Sequence, residues 1–186
     1  KEVTLEEDLS RRDFTINAIA QDENNNIIDP LNGQIDLHNQ IFKHASEAFS
    51  EDPLRAIRLA RFFTYDHLKD FSIDGSTIDK VNQIISSDEI SKLSSERVWT
   101  ETSRALCSSN PSNYFEKIIS LDLIEPFFEN LKIAHCHSHS DSEIRWSELQ
   151  INNHFKLGNK IPIPNEFKNA SNVLKSISKI TNNVEE

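Results

Sequence analysis

At 186 residues the chain is long enough for one well-cored domain, or for two small lobes. A formal net charge of −10 argues against indiscriminate nucleic-acid binding, so any such contact needs a local basic patch. Three glycines and six prolines argue against an all-β fold rich in tight turns, and the long amphipathic stretches point to a mainly α protein.

The predicted elements follow in chain order. Lys1 to Leu5 reads as a short strand, and Leu9–Ala20 as a helix with Asp13 as cap or first-turn residue and Phe14, Ile16, Ala18 and Ile19 for packing. The DENNN cluster from Asp22 to Asn26 is a turn before a short strand at Ile27–Ile28, which ends at Asp29-Pro30. Gly33 permits a tight bend, Asp36-Leu37 starts a helical turn, and Ile41-Phe42-Lys43 returns as a strand. Ser50–Phe63 is predicted helical, capped by Ser50 or Asp52 with Pro53 in the first turn. Further helices are expected at Ser76–Ser86, Ser95–Cys107, Pro111–Leu121, Leu123–Leu131, Glu143–Phe155 and Asn165–Ile180. Trp99 and Trp146 are read as core residues.

Two constellations carry chemistry. In the RRDFTINA run, a helix over this segment places Asp13 and Asn17 on one face at i, i+4 beside Arg12. A carboxylate and an amide on one face can hold a ribose, and an arginine beside them a triphosphate. The simpler reading is an N-cap aspartate with surface arginines. In EDPLRAIRLARF, Asp52, Arg55, Arg58 and Arg61 recur every three residues between apolar neighbours, a single ridge if all four are helical. Intrahelical ion pairing on a solvated face competes with a phosphate- or base-holding role. In the latter an aspartate accepts from an exocyclic amine while an arginine donates to a ring nitrogen or carbonyl, reading a Watson–Crick edge without a nucleic-acid template.

The remaining clusters say less. Cys107 and Cys136 are too few for a disulfide framework, and read as reduced thiols. His135, Cys136, His137, His139 and Asp141 alternate too closely for one tetrahedral site, and their serines signal a loop, so no metal site is expected. The chain contains no methionine and opens in mid-pattern, from which we expect a piece of a longer protein. No apolar run reaches the ~20 residues that a bilayer-spanning helix needs, so no membrane partner is expected and the cytoplasm is the expected location.

Four motifs in order, DLSRRDFTINAIA, IIDPLNGQIDL, FSEDPLRAIRLARF and SERVWTETSRAL, closely resemble the class II nucleotidyltransferase family, in particular bacterial CCA-adding enzymes. Bacterial poly(A) polymerases share RRDFTIN and EDPxR, but the residues after Asn17 and around Asp29 look more like CCA addition. The resemblance implies a mainly α chain: the end of an α/β head at 1–45, a helical base-recognising neck at 46–108 and a tRNA-contacting helical body at 109–186. It implies that Arg12, Asp13 and Asn17 hold sugar and phosphates, and that Asp52 and Arg55 select CTP and then ATP with Arg58 and Arg61 in support. Asp29, Gly33 and Asp36 fall in a hinge, and Glu96, Arg97 and Glu101 brace the neck. The family's paired Mg2+-binding carboxylates and glycine-rich phosphate turn have no counterpart here, so this chain is expected to bind nucleotide and tRNA without catalysing alone. No His-Asp hydrolase pair is present in Ile144–Phe155. The alternatives are a poly(A) polymerase, a non-catalytic tRNA-binding module, and a helical scaffold whose arginines are structural.

Overall fold

The computed structural model describes residues 3–137 and 141–182, with side chains to residue 177. The fold is mainly α, and the described residues form two compact units, Lys1–Ala56 with Asp70–Glu89, and Ile57–Lys69 with Ile90–Glu186.

In the first unit a helix, α1 (Leu5–Ser10), starts at the last residue of the expected opening strand; Val3 and Thr4 pair with no strand, and residues 1 and 2 lie outside the described residues. Thr4 and Glu7 form a reciprocal capping box, Thr4 N–H to Glu7 Oε2 at 3.0 Å and Glu7 N–H to Thr4 Oγ1 at 3.2 Å, which starts a helix where residues 3–5 alone suggest extension. The expected helix at Leu9–Ala20 is also corrected. The chain leaves α1 at Arg11, extends through Phe14 and makes only a 3-10 turn at Thr15–Asn17. Phe14 bridges His44 antiparallel, Thr15 N–H reaches Lys43 O at 2.9 Å, and Ala45 N–H reaches Asp13 O at 3.2 Å. Aromatic and β-branched residues at 14–16 are weak helix formers, and this pairing satisfies their backbone instead.

Next, β1 (Ala20–Gln21) and β2 (Ile27–Ile28) pair antiparallel around a turn in which Asp22 Oδ1 accepts from Asn24 N–H and Asn26 N–H, both at 2.8 Å. α2 (Gly33–His38) follows, and then β3 (Ile41–Phe42), which pairs in parallel with β4 (Ser72–Ile73). α4 (Gly75–Ser86) is capped by Asp74. The unit's core is aromatic: Phe14 lies 5.3 Å from Phe42 and 5.8 Å from Phe49, and Phe42 5.2 Å from Phe71.

α3 (Leu54–Phe62) begins in this unit and continues into the second. The expected Ser50–Phe63 helix is thus shortened. Glu47–Glu51 is a 3-10 turn, and Asp52 is extended at φ −125°, ψ 98°. Pro53 explains the break, because its ring excludes the residue before it from helical geometry.

The second unit packs α5 (Ser95–Leu106), α6 (Pro111–Ser120), α7 (Ser142–Asn152) and α8 (Asn165–Asn182). Leu123–Leu131 is a series of turns rather than the expected helix: Pro126 lacks an N–H, and Asp122 and Asn130 take left-handed backbone at φ 56° and 71°. Trp146 is buried as expected, with half-buried Trp99 edge-on at 5.6 Å. Buried Arg145 donates to the carbonyls of Leu106 and of Ser108 (3.0 Å), closing the end of α5. Among the described residues no helix is long and apolar enough to cross a membrane.

Candidate functional site

The loss of the Leu9–Ala20 helix changes how Asp13 and Asn17 are presented. They do not share a helical face. Asn17 Oδ1 accepts from Phe14 N–H at 3.0 Å, tying the 3-10 turn shut, while Asp13 is carried inward by the extended segment to 7% exposure. There it meets Arg55, whose Nε lies 3.5 Å from Asp13 Oδ1 and whose Nη2 donates to Arg11 O at 2.5 Å. Arg55 Nη1 is buried and has no hydrogen-bond partner, and neither has Ser50 Oγ. An unpartnered buried donor costs about 1–3 kcal/mol, so Arg55 is held toward a position that nothing in this unit fills. Arg12 is exposed and, among the described residues, pairs with Asp8, at 3.0 Å one turn back. Exposed i, i+4 pairs contribute little and release easily.

Asp52 is not the first member of a helical ridge. It caps α3 from outside, with Oδ1 accepting from Leu54 N–H at 3.2 Å. The three arginines then diverge in environment. In the second unit, Arg61 is 6% exposed and Glu101 2%. Arg61 Nε donates to Glu101 Oε2, Arg104 Nη1 lies 3.2 Å and Arg58 Nη1 3.9 Å from Glu101 Oε1, and Arg61 Nη1 donates to Tyr65 OH at 2.6 Å. Arg61 and Glu101 thus serve a buried charge cluster. Of the three residues read as neck braces, Glu96 and Arg97 are exposed and Glu101 alone is buried. Tyr65 was missed, although its i, i+4 spacing from Arg61 was a signal.

The segment read as a hinge is tightly tied. Asp29 accepts from Gly33 N–H at 2.7 Å and from Gln34 N–H at 2.9 Å, starting α2 as a side-chain cap. Burial pushes the Asp29 carboxyl up, but the hydrogen bonds from Gln34 and Gly33 outweigh it and hold it below the ordinary carboxylate value. Asp36 Oδ2 accepts from Thr15 Oγ1 at 2.7 Å, and a Cβ on Gly33 would fall 2.1 Å from Thr15 O. Only glycine lets α2 approach the 3-10 turn this closely.

His137 pairs with Glu148 at 2.9 Å, Cys136 is buried and Cys107 exposed, and His139 lies outside the described residues. No group of three or more His, Cys, Asp or Glu among the described residues could hold a metal ion.

Residues 1–43 match the family described as "Poly A polymerase head domain", and residues 70–134 the family described as "Probable RNA and SrmB- binding site of polymerase A". The chain is 48% identical over 129 residues to a multifunctional CCA protein of Pseudoalteromonas atlantica, covering 69% of this chain and 32% of that one. It is 43% identical over 133 residues to a CCA-adding enzyme of Buchnera aphidicola, covering 72% and 32%. The chain spans about a third of the length of these curated relatives. The Bacillus stearothermophilus CCA-adding enzyme solved with CTP superposes with a TM-score of 0.74 at 26% identity, over 95% of this chain and 48% of that one. A tRNA nucleotidyltransferase solved with a primer tRNA and an incoming ATP analog gives 0.62 at 25% identity, over 78% and 41%.

Proposed function

This chain belongs to the class II nucleotidyltransferase family, and from that premise we propose that its protein adds C, C and A to tRNA 3′ ends from CTP and ATP, this chain supplying nucleotide and tRNA binding. One observation carries the reading: buried Arg55 Nη1 has no partner, beside Asp13 and in the turn after Asp52. A guanidinium oriented by Asp13 and by Arg11 O offers a free N–H to the edge of an incoming base. Half-buried Asp52 supplies the carboxylate for the exocyclic amine. Asn17 and Asp13 take the sugar side, and exposed Arg12 exchanges Asp8 for phosphate. Arg58 and Arg61 play a supporting part through their shared ion pair with Glu101.

On this reading residues 1–45 end the head, 46–108 form the neck and 109–186 the tRNA-contacting body, with Asp29, Gly33 and Asp36 at the head–neck hinge. The reaction is in-line attack of the tRNA 3′-hydroxyl on the α-phosphate with release of pyrophosphate. Mg2+ is the expected metal of the family chemistry. The described residues hold no carboxylate cluster that fits it, and no step is assigned to Mg2+ through this chain. ATP binding and a cytoplasmic location are parts of the same proposal.

That the curated relatives are named CCA proteins favours CCA addition over poly(A) synthesis. The test is incorporation of C and A on tRNA by the complete enzyme. Asp52→Ala should blur the choice between CTP and ATP, and Arg12→Ala should weaken both nucleotides alike. Unchanged selectivity in Asp52→Ala would overturn the base-reading role, and long A-only products would favour the polymerase.

A further inference from the structure

Among the described residues two buried side-chain polar atoms have no hydrogen-bond partner, Ser50 Oγ and Arg55 Nη1. Both belong to the first unit, and both fall in one stretch of ten residues, 46–55. That stretch is closed on two adjacent carbonyls. Ser46 Oγ donates to Ser10 O at 2.6 Å, and Arg55 Nη2 donates to Arg11 O at 2.5 Å. Between these ties run the 3-10 turn Glu47–Glu51 and the extended Asp52. Phe49, at 0% exposure, anchors the turn with its ring 5.8 Å from Phe14 and 6.0 Å from His44. The loop is therefore fixed at both ends and in its middle.

A serine in such a turn ordinarily bonds the nearby backbone. Ser46 does so, accepting from Ala48 N–H at 3.3 Å. The cap of α3 is made by Asp52, which accepts from Leu54 N–H at 3.2 Å. Ser50 was the other residue expected to cap that helix, and it is left with a buried hydroxyl and nothing to bond. A hydroxyl out of water and unbonded lowers the stability of the nucleotide-free fold. Two orphaned groups five residues apart, on a loop tied this firmly, mark a place that is completed from outside.

What the loop offers matches one base edge more fully than the other. Cytosine presents an amine, a ring nitrogen and a carbonyl oxygen in a row, and adenine an amine, a ring nitrogen and a C–H. In the reading above, Asp52 meets the amine and Arg55 Nη1 the ring nitrogen of either base. The third atom is where the two substrates part. An unspent hydroxyl supplies a donor that only cytosine can use there. On the base-reading role of Arg55, we propose that Ser50 is a specificity-determining residue whose hydroxyl donates to the cytosine carbonyl O2. The loop then favours CTP over ATP.

The experiment titrates the complete enzyme, Ser50→Ala and Arg55→Ala calorimetrically with CTP and with ATP, without tRNA. Ser50→Ala should weaken CTP about three- to tenfold, the worth of one hydrogen bond, and change ATP by less than about twofold. Its urea midpoint without nucleotide should equal or exceed that of the unsubstituted enzyme, because an unpartnered buried hydroxyl has been removed. An equal loss for CTP and ATP, or an unchanged CTP affinity, overturns the proposal by denying the contact with O2. A lowered midpoint overturns it as well, since the hydroxyl then has a partner within the fold. Arg55→Ala separates this failure from that of the underlying reading. Should Arg55→Ala weaken both nucleotides and Ser50→Ala neither, the role of Ser50 alone falls. Should Arg55→Ala weaken neither, the base-reading site falls and Ser50 with it.

Discussion

Arg55 and Arg61 lie six residues apart on one helix, and their surroundings differ in kind. Arg61 is engaged through two nitrogens: Glu101 takes its Nε and Tyr65 its Nη1, and Arg58 and Arg104 share the same buried carboxylate. Arg55 is aimed by Asp13 and by Arg11 O yet keeps one buried nitrogen without a partner. A satisfied buried charge cluster stabilises the fold, whereas an oriented but incomplete one is the observation on which the proposed nucleotide role of Arg55 rests. A repeating arginine row therefore does not have one function along its length. What distinguishes its members is the count of partners around each head group.

The sharpest attempt to break this contrast is Glu101→Ala. It strands buried Arg61 without its counter-charge, and removing one partner of a buried pair typically costs about 3–5 kcal/mol. Urea unfolding should show that loss, and a cost below about 1 kcal/mol would place Glu101 with surface ion pairs. Arg55→Ala should behave oppositely, with nucleotide affinity falling tenfold or more, about 1.4 kcal/mol, as read by isothermal titration with CTP and ATP on the complete enzyme. Should its main effect be on stability, the two arginines would belong to one class after all. Tyr65→Phe probes the satisfied side more gently, since it deletes only the hydroxyl that accepts from Arg61 Nη1. About 1 kcal/mol of stability should go with it, without a change in nucleotide affinity.

The smallest expected effect is one of pH. Burial, ahead of nearby charges, pushes the pKa of His44 below the ordinary value. Thr77 Oγ1 accepts from His44 N–H at 2.9 Å and lies 3.0 Å from Nδ1, where its hydroxyl can donate to a neutral ring. Below about pH 6.5 the unfolded chain therefore takes up a proton that the folded chain resists. Stability should decline as pH falls from there through the lowered folded value, and level off beneath it. Denaturation midpoints measured across that window should show the decline, and His44→Gln should flatten it. A stability profile that rises on acidification would contradict a half-buried neutral ring.

Much of this molecule was legible from residue order alone. Helices with strong local signals formed where expected: Asp74 before α4, Ser94 before α5 and Pro111 at the start of α6. The motifs that carry the family resemblance were equally visible, because they are runs of adjacent residues. The misread segments are those whose backbone partners are remote. Residues 13–15 left a helical pattern because 43–45 offered them hydrogen bonds, and Leu123–Leu131 had periodicity without the N–H groups and backbone angles to use it. Asp52 was read both as a cap of α3 and as the first member of the three-residue ridge; the cap formed, and the ridge lost this member because Pro53 holds Asp52 extended.

Sequence by itself thus determined which residues carry charge, where most helices start and which family the chain resembles, since capping, periodicity and motif order act over a few bonds. Tertiary structure alone decided which arginine is satisfied and which is left open, and that the Ser50 hydroxyl is buried without a partner. Burial and hydrogen-bond partnership depend on groups forty or so residues away, Glu101 for Arg61 and Arg11 and Asp13 for Arg55, and no local pattern encodes their distance.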